Sequence, residues 1–334
     1  MVNVDESVSA ILMCCDESIS GINLGGGYTI QKVYFSDLPF KANIVDGRGI
    51  ISTDYYFSRL NDQTGDYYMC ISKTDTFAIR GPVFDGKTRI YTDEDIACES
   101  ELAVRTSEEF QFLNDRINLL RLFHEGNIGF RTVFFQFKHQ ALGITNTLNR
   151  PVHIQTRNTV DSRIYSLKPD EIRACNAFLS MYAGSPYDLL KDCIDVFSWG
   201  LEQIDVATGF EKYTTALEMT LLESNQQGKK QALANRVSVI LGKTNSEIQT
   251  LHQKMTDFYR YRSESLHEGN GSNISEIELR ELERIVRSVL SWYLEQIRLA
   301  LSANPTATWA EIKKATICNL VAKVTQLKAQ SILP

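Results

Sequence analysis

From Pro186 to the end of the chain, nearly every segment places apolar residues at the 3.6-residue spacing of an α-helix. No other property of the sequence constrains the fold as much. Residues 187–205 carry Leu190, Ile194, Phe197 and Leu201, and residues 210–223 carry Tyr213, Leu217 and Leu221. Residues 231–241 carry Leu233, Val237 and Ile240 and stop at Gly242, and residues 246–266 carry Ile248, Leu251, Met255 and Phe258 before Gly269. Residues 275–301 open on Ser275-Glu276-Ile277-Glu278, a capping box that sets the helix start, and residues 309–330 follow Pro305 with Thr308 as cap. Five or six helices with short links predict an antiparallel bundle over 186–334.

The first half has a different grammar. Short runs rich in β-branched and aromatic residues recur at 28–35, 67–72, 76–80 and 131–137. The glycines at 25–27, Asp46-Gly47 and Asp85-Gly86 are turn signals between such runs. One amphipathic helix is expected over 107–123, capped by Ser107. The expected fold class is therefore α+β, a β-rich domain over 1–170 followed by the helical one, with the boundary between Ile164 and Tyr187.

Charge and cysteine content narrow the function. The 334 residues carry 35 basic and 41 acidic side chains, a net of −6, which argues against binding by bulk basicity. The acidity is uneven: residues 186–334 hold 17 basic against 18 acidic groups, leaving 18 against 23 in the first half. Seven cysteines with no C-x-x-C pair suggest reduced thiols rather than a zinc site or disulfide framework, and no metal or cofactor is expected. No apolar run reaches membrane-spanning length and the acidic N-terminus is unlike a secretory signal, so a cytoplasmic protein is expected.

The segment 259–271, YRYRSESLHEGNG, carries the chemistry. His267 stands five positions after Arg262 and seven after Arg260, and it is the only histidine of the chain with an arginine at such a spacing. A histidine can move a proton near neutral pH, and an arginine can stabilise phosphorane charge. Together they suit metal-free RNA cleavage by the 2′-OH. Composition alone predicts about one chance match of this kind, so the spacing needs its context. On a continuous helix Arg262 and His267 lie about 140° apart, whereas Arg260 and His267 lie within about 20° of one face. The first pair converges only if the helix breaks before His267, for which Gly269 and Gly271 offer a means, or if a second protomer completes the site.

That context resembles the HEPN superfamily, within it the ApeA-like group. Tyr259, Arg262, Ser263 and His267 follow the group's Tyr-x-x-Arg-Ser-x-x-x-His pattern, with Gly269 one position late because Glu268 intervenes. Leu217-Glu218, Asn235-Arg236-Val237 and Ile240-Leu241-Gly242 stand upstream in the family's order, and the resemblance covers about 186–300. It implies a metal-independent endoribonuclease acting on tRNA or mRNA, a homodimer with facing sites, and service as a toxin or anti-phage abortive-infection effector. It also implies Arg262 and His267 as catalytic pair, Ser263 on the phosphate or on His267, Glu218 pairing with Arg262, and a β-rich half that senses a trigger such as a phage protein.

Blander readings stand beside these. Arg262 can be a structural residue paired with Glu218 or Glu264 and His267 a histidine at the helix C-terminus, giving a non-catalytic module for dimerisation or RNA binding. Glu218 can be an ordinary salt-bridged residue. His124-Glu125-Gly126 reads as a helix terminus, the glycines at 25–27 lack a phosphate-cradle pattern, and Lys229-Lys230 and Lys313-Lys314 read as solvated positions, with RNA-backbone contact the lesser option.

Overall fold

The computed structural model describes residues 2–34, 44–46, 49–51, 67–79, 93–141, 144–153, 163–268 and 274–334. The chain is α+β: an N-terminal antiparallel sheet is followed by a helical region. Contacts divide it into two compact units. The first runs to Ser180 and the second from Met181 to Pro334, except that Arg121–Glu125 groups with the second.

The sheet of the first unit has the order β2-β5-β1-β6-β7, comprising Thr29–Tyr34, Tyr67–Ile79, Val2–Met13, Gly129–Ala141 and Ile144–His153. A separate hairpin pairs β3 (Ile44–Asp46) with β4 (Gly49–Ile51). The runs expected at 67–72 and 76–80 are one strand, β5. The central strand β1 and the edge strand β7 have no counterpart among the sequence-based elements. Asp85-Gly86 lies outside the described residues. The glycines at 25–27 do form a turn, all three with positive φ (77°, 59° and 81°), the region that favours residues without a Cβ.

Side chains alternate across the pleat, so β1 presents Val4, Glu6, Val8, Ala10 and Leu12 on one face. Helix α1 (Asp93–Phe123) covers that face, burying Leu102, Leu113, Ile117 and Leu120 with Val133, Phe135 and Phe137 of β6. It begins fourteen residues before the expected Ser107 start, and it ends where His124-Glu125-Gly126 was expected to end it. Between helix and sheet lies a charged cluster. Arg105 Nη2 reaches Glu6 Oε2 at 2.9 Å, Asp75 at 2.8 Å and Glu109 at 3.0 Å; Lys73 and the Tyr28 hydroxyl also meet Glu109. The Glu6 side chain is fully buried, and its Oε1 has no hydrogen-bond partner among the described residues.

Helix α2 (Pro169–Tyr182), also unforeseen, leads to the second unit. There α3 (Ser185–Leu201), α4 (Val206–Leu221), α5 (Lys229–Leu241), α6 (Asn245–Glu268), α7 (Glu276–Ala303) and α8 (Trp309–Ala329) follow the sequence periodicity to within a few residues at each end. Ser275 and Thr308 both form full capping boxes. Tyr187, Phe197, Phe210, Tyr213 and Tyr293 fill the core. Gly200 lets α3 and α4 approach: a Cβ there would sit 2.4 Å from Cε1 of Tyr213. No helix among the described residues is long and apolar enough to cross a membrane.

Candidate functional site

The candidate residues gather where the last turn of α4 meets the C-terminal half of α6. Glu218 lies on α4, one turn before the helix ends at Leu221, and Tyr259 and Arg262 lie one turn apart on the facing side of α6. Phe258 anchors this crossing, its ring edge-on to Phe210 of α4 at 5.4 Å between centroids. The anchor explains the local order: the apolar stripe of α6 docks against α4, and the residues beside it are carried into the same region.

The Glu218–Arg262 ion pair expected from the sequence forms, with Arg262 Nη2 3.6 Å from Glu218 Oε2. Both side chains are mostly buried, 20% and 16% exposed, so the pair is shielded from bulk water and salt. The Arg262 guanidinium also lies over the Tyr259 ring, 5.6 Å from its centroid, a cation–π geometry. Burial, then the charge of Glu218 and a hydrogen bond to it, push the Tyr259 phenol up from its ordinary value. Among the described residues, Arg262 Nε and Glu218 Oε1 are buried without hydrogen-bond partners. The guanidinium is thus oriented by a carboxylate and a ring, while its buried Nε is a donor that the described residues leave unsatisfied.

Arg260 is placed differently. Two residues from Arg262, it points about 200° around the helix, is exposed, and pairs within its own helix with Asp257 at 3.2 Å and Glu264 at 3.8 Å. Ser263 follows Arg262 on α6 and is half-buried. His267 lies in the last turn of α6; its side chain, like those of Leu266 and Glu268, falls outside the described residues, as do Gly269 and Gly271 altogether. The backbone nevertheless answers the geometric question. α6 runs unbroken to Glu268, so no break precedes His267, and the two glycines lie beyond the helix end. Within one chain Arg262 and His267 occupy different faces of α6, about 140° apart, whereas Arg260 and His267 share a stripe.

Two residues named in the sequence take roles here that the motifs do not describe. Arg236 of α5 is 4% exposed; it donates to the Leu221 carbonyl at the C-terminus of α4 and, at 2.9 Å from Nη2, to Gln226 Oε1. Its charge sits at the negative end of the α4 dipole and tethers the α4–α5 link over residues 222–228. Burial lowers its pKa below the usual arginine value. Lys313 departs from the solvated reading: it is half-buried, lies over Trp309 of α8 and donates to the Met219 carbonyl, and burial lowers its pKa. Lys229, Lys230 and Lys314 are exposed as expected. The sequence offered Arg236 only within the Asn235-Arg236-Val237 match; its tether to the end of α4 follows from its burial against that helix.

No protein-family model, curated protein or solved structure matches the chain significantly.

Proposed function

We propose that the helical unit is a metal-independent endoribonuclease of HEPN type. Arg262 would hold the scissile phosphate and stabilise the phosphorane, and His267 would move the proton. The RNA 2′-oxygen attacks the adjacent phosphorus as its proton leaves, the bond to the 5′-oxygen breaks, and that oxygen takes up a proton. The observation that carries this reading is the placement of Arg262, aligned by Glu218 and Tyr259, with its Nε unpartnered among the described residues. Because α6 is continuous, the reading places Arg262 of one protomer opposite His267 of another in a homodimer. Ser263, next to Arg262, is available to the same phosphate, and Arg260 is the alternative cation on the His267 stripe. The β-rich unit is assigned to sensing a trigger, such as a phage protein, in a cytoplasmic toxin or abortive-infection role.

A second reading is a non-catalytic HEPN module for dimerisation or RNA binding. It is favoured by the same ion pair, since Glu218 already neutralises Arg262 and repels phosphate.

The deciding experiment measures cleavage of tRNA and mRNA in EDTA by wild type and by Arg262→Ala, His267→Ala and Arg260→Ala. Loss of general acid–base catalysis lowers the rate by about 10²–10⁴. Mixing the inactive Arg262→Ala and His267→Ala chains restores activity if the site is shared between protomers. Equal cleavage by wild type and His267→Ala refutes the catalytic reading.

A further inference from the structure

A groove in the second unit leads away from Arg262. Its first part is a depression of about 770 Å³ walled by the α4–α5 link and closed by Tyr259, the residue over which Arg262 is stacked. Lys229 and Lys230 stand at its edge with Asn225, Gln226 and Gln227, and its described lining holds two cations and no carboxylate. Through Ser224 and Lys229 it continues into a second depression of about 380 Å³, where Trp309, Lys313 and Met219 meet Asp192, Glu218 and Glu223. The wall is built rather than loose, because the buried Arg236 holds Gln226 and the end of α4.

The two parts differ in what they accept. The first offers exposed ammonium groups and amides, which suit phosphate and sugar oxygens. The second offers the half-buried Trp309 indole, over which Lys313 lies, with apolar neighbours, but its three carboxylates, Asp192, Glu218 and Glu223, disfavour a phosphate. Ammonium groups followed by an aromatic platform are the pattern by which proteins hold unpaired nucleic acid, since each base has a face to stack and each linkage one charge to neutralise.

We propose that this groove is the binding track for the single-stranded RNA flanking the scissile phosphate: Lys229 and Lys230 contact the backbone, and a neighbouring base stacks at Trp309. The inference rests on the ribonuclease reading for its polarity, from Arg262 outward, and assigns that reading an unpaired substrate.

The test uses the full chain and a fluorescently labelled single-stranded oligonucleotide bearing 2′-O-methyl groups throughout. Such an oligonucleotide cannot be cleaved by 2′-OH attack, so binding is read independently of cleavage. Lys229→Glu/Lys230→Glu is expected to weaken binding at least about tenfold and to flatten the salt dependence by about 1.4 in slope, two contacts at about 0.7 each. Trp309→Leu, which keeps an apolar side chain against Tyr293, is expected to weaken it on the order of tenfold with an unchanged slope. Lys323→Glu, on an exposed position of α8 outside the groove, is expected to bind as wild type. Wild-type affinity and slope in the double-lysine variant, equal or tighter binding of the duplex form, or no binding by wild type would each overturn the track. Groove-dependent binding without cleavage of natural RNA would instead uphold the track and overturn the ribonuclease reading.

Discussion

Arg105→Met isolates what holds the first unit together. In the native chain this guanidinium serves Glu6, Asp75 and Glu109 at 2.8–3.0 Å. Asp75 is 43% exposed and can turn to water, so its loss costs little. Glu109 keeps Lys73 and the Tyr28 hydroxyl. Glu6 keeps nothing among its described partners: its side chain is wholly buried, its Oε2 receives both bonds from Arg105, and its Oε1 has none. The cost is therefore that of one buried carboxylate stripped of its partner, about 3–5 kcal/mol. Burial already holds the Glu6 carboxyl above its ordinary value, with Arg105 the main opposing influence, so removing Arg105 raises it further. A carboxyl raised in the folded state favours folding when protonated. Its contribution is intact below the unfolded value, near 4.5, and is lost as pH rises through the folded one. Urea unfolding followed by circular dichroism, with hydrogen exchange of the β1 amides, should show a deficit in Arg105→Met that is near full at pH 8 and smaller at pH 5. Adding Glu6→Gln should recover most of it. An equal deficit at both pH values, or a double variant as unstable as the sum of the singles, would refute the reasoning.

Two further outcomes are expected. Gly200→Ala drives a methyl into the Tyr213 ring and should cost about 1–3 kcal/mol in thermal or urea unfolding. None of the seven cysteines is in a disulfide and only Cys318 is exposed, while burial pushes the Cys70 and Cys175 thiols up to about 12. A maleimide reagent counted by intact mass should therefore add rapidly once per native chain and seven times after denaturation.

The helical unit was legible because a helix is a local object. Its period, its Ser275 and Thr308 caps and its glycine stops all lie within a few residues of one another, and the six helices α3–α8 follow them closely. The sheet was less legible for a physical reason. β1 is the central strand, but its inward stripe of Val4, Val8, Ala10 and Leu12 is interrupted by Glu6, which reads as a surface residue until its partner is known. That partner stands 99 positions away. β7 carries Thr, Asn and Arg rather than an apolar run and is an edge strand, placed by its ladder to β6.

At the candidate site the sequence by itself settled residue types and their angular relation: an Arg–His pair about 140° apart on any unbroken helix, and a second arginine on the histidine's stripe. It left open whether the helix breaks, and whether Glu218 reaches Arg262. Tertiary structure decided both. Docking of Phe258 on Phe210 brings α6 against the end of α4, so Arg262 meets Glu218 and Tyr259 while Arg260 remains in solvent with its own helix's carboxylates. A helix's hydrogen bonds are made within its own segment and can be read there. Which of its faces is buried, and what charge meets that face, is fixed by packing between segments dozens of residues apart.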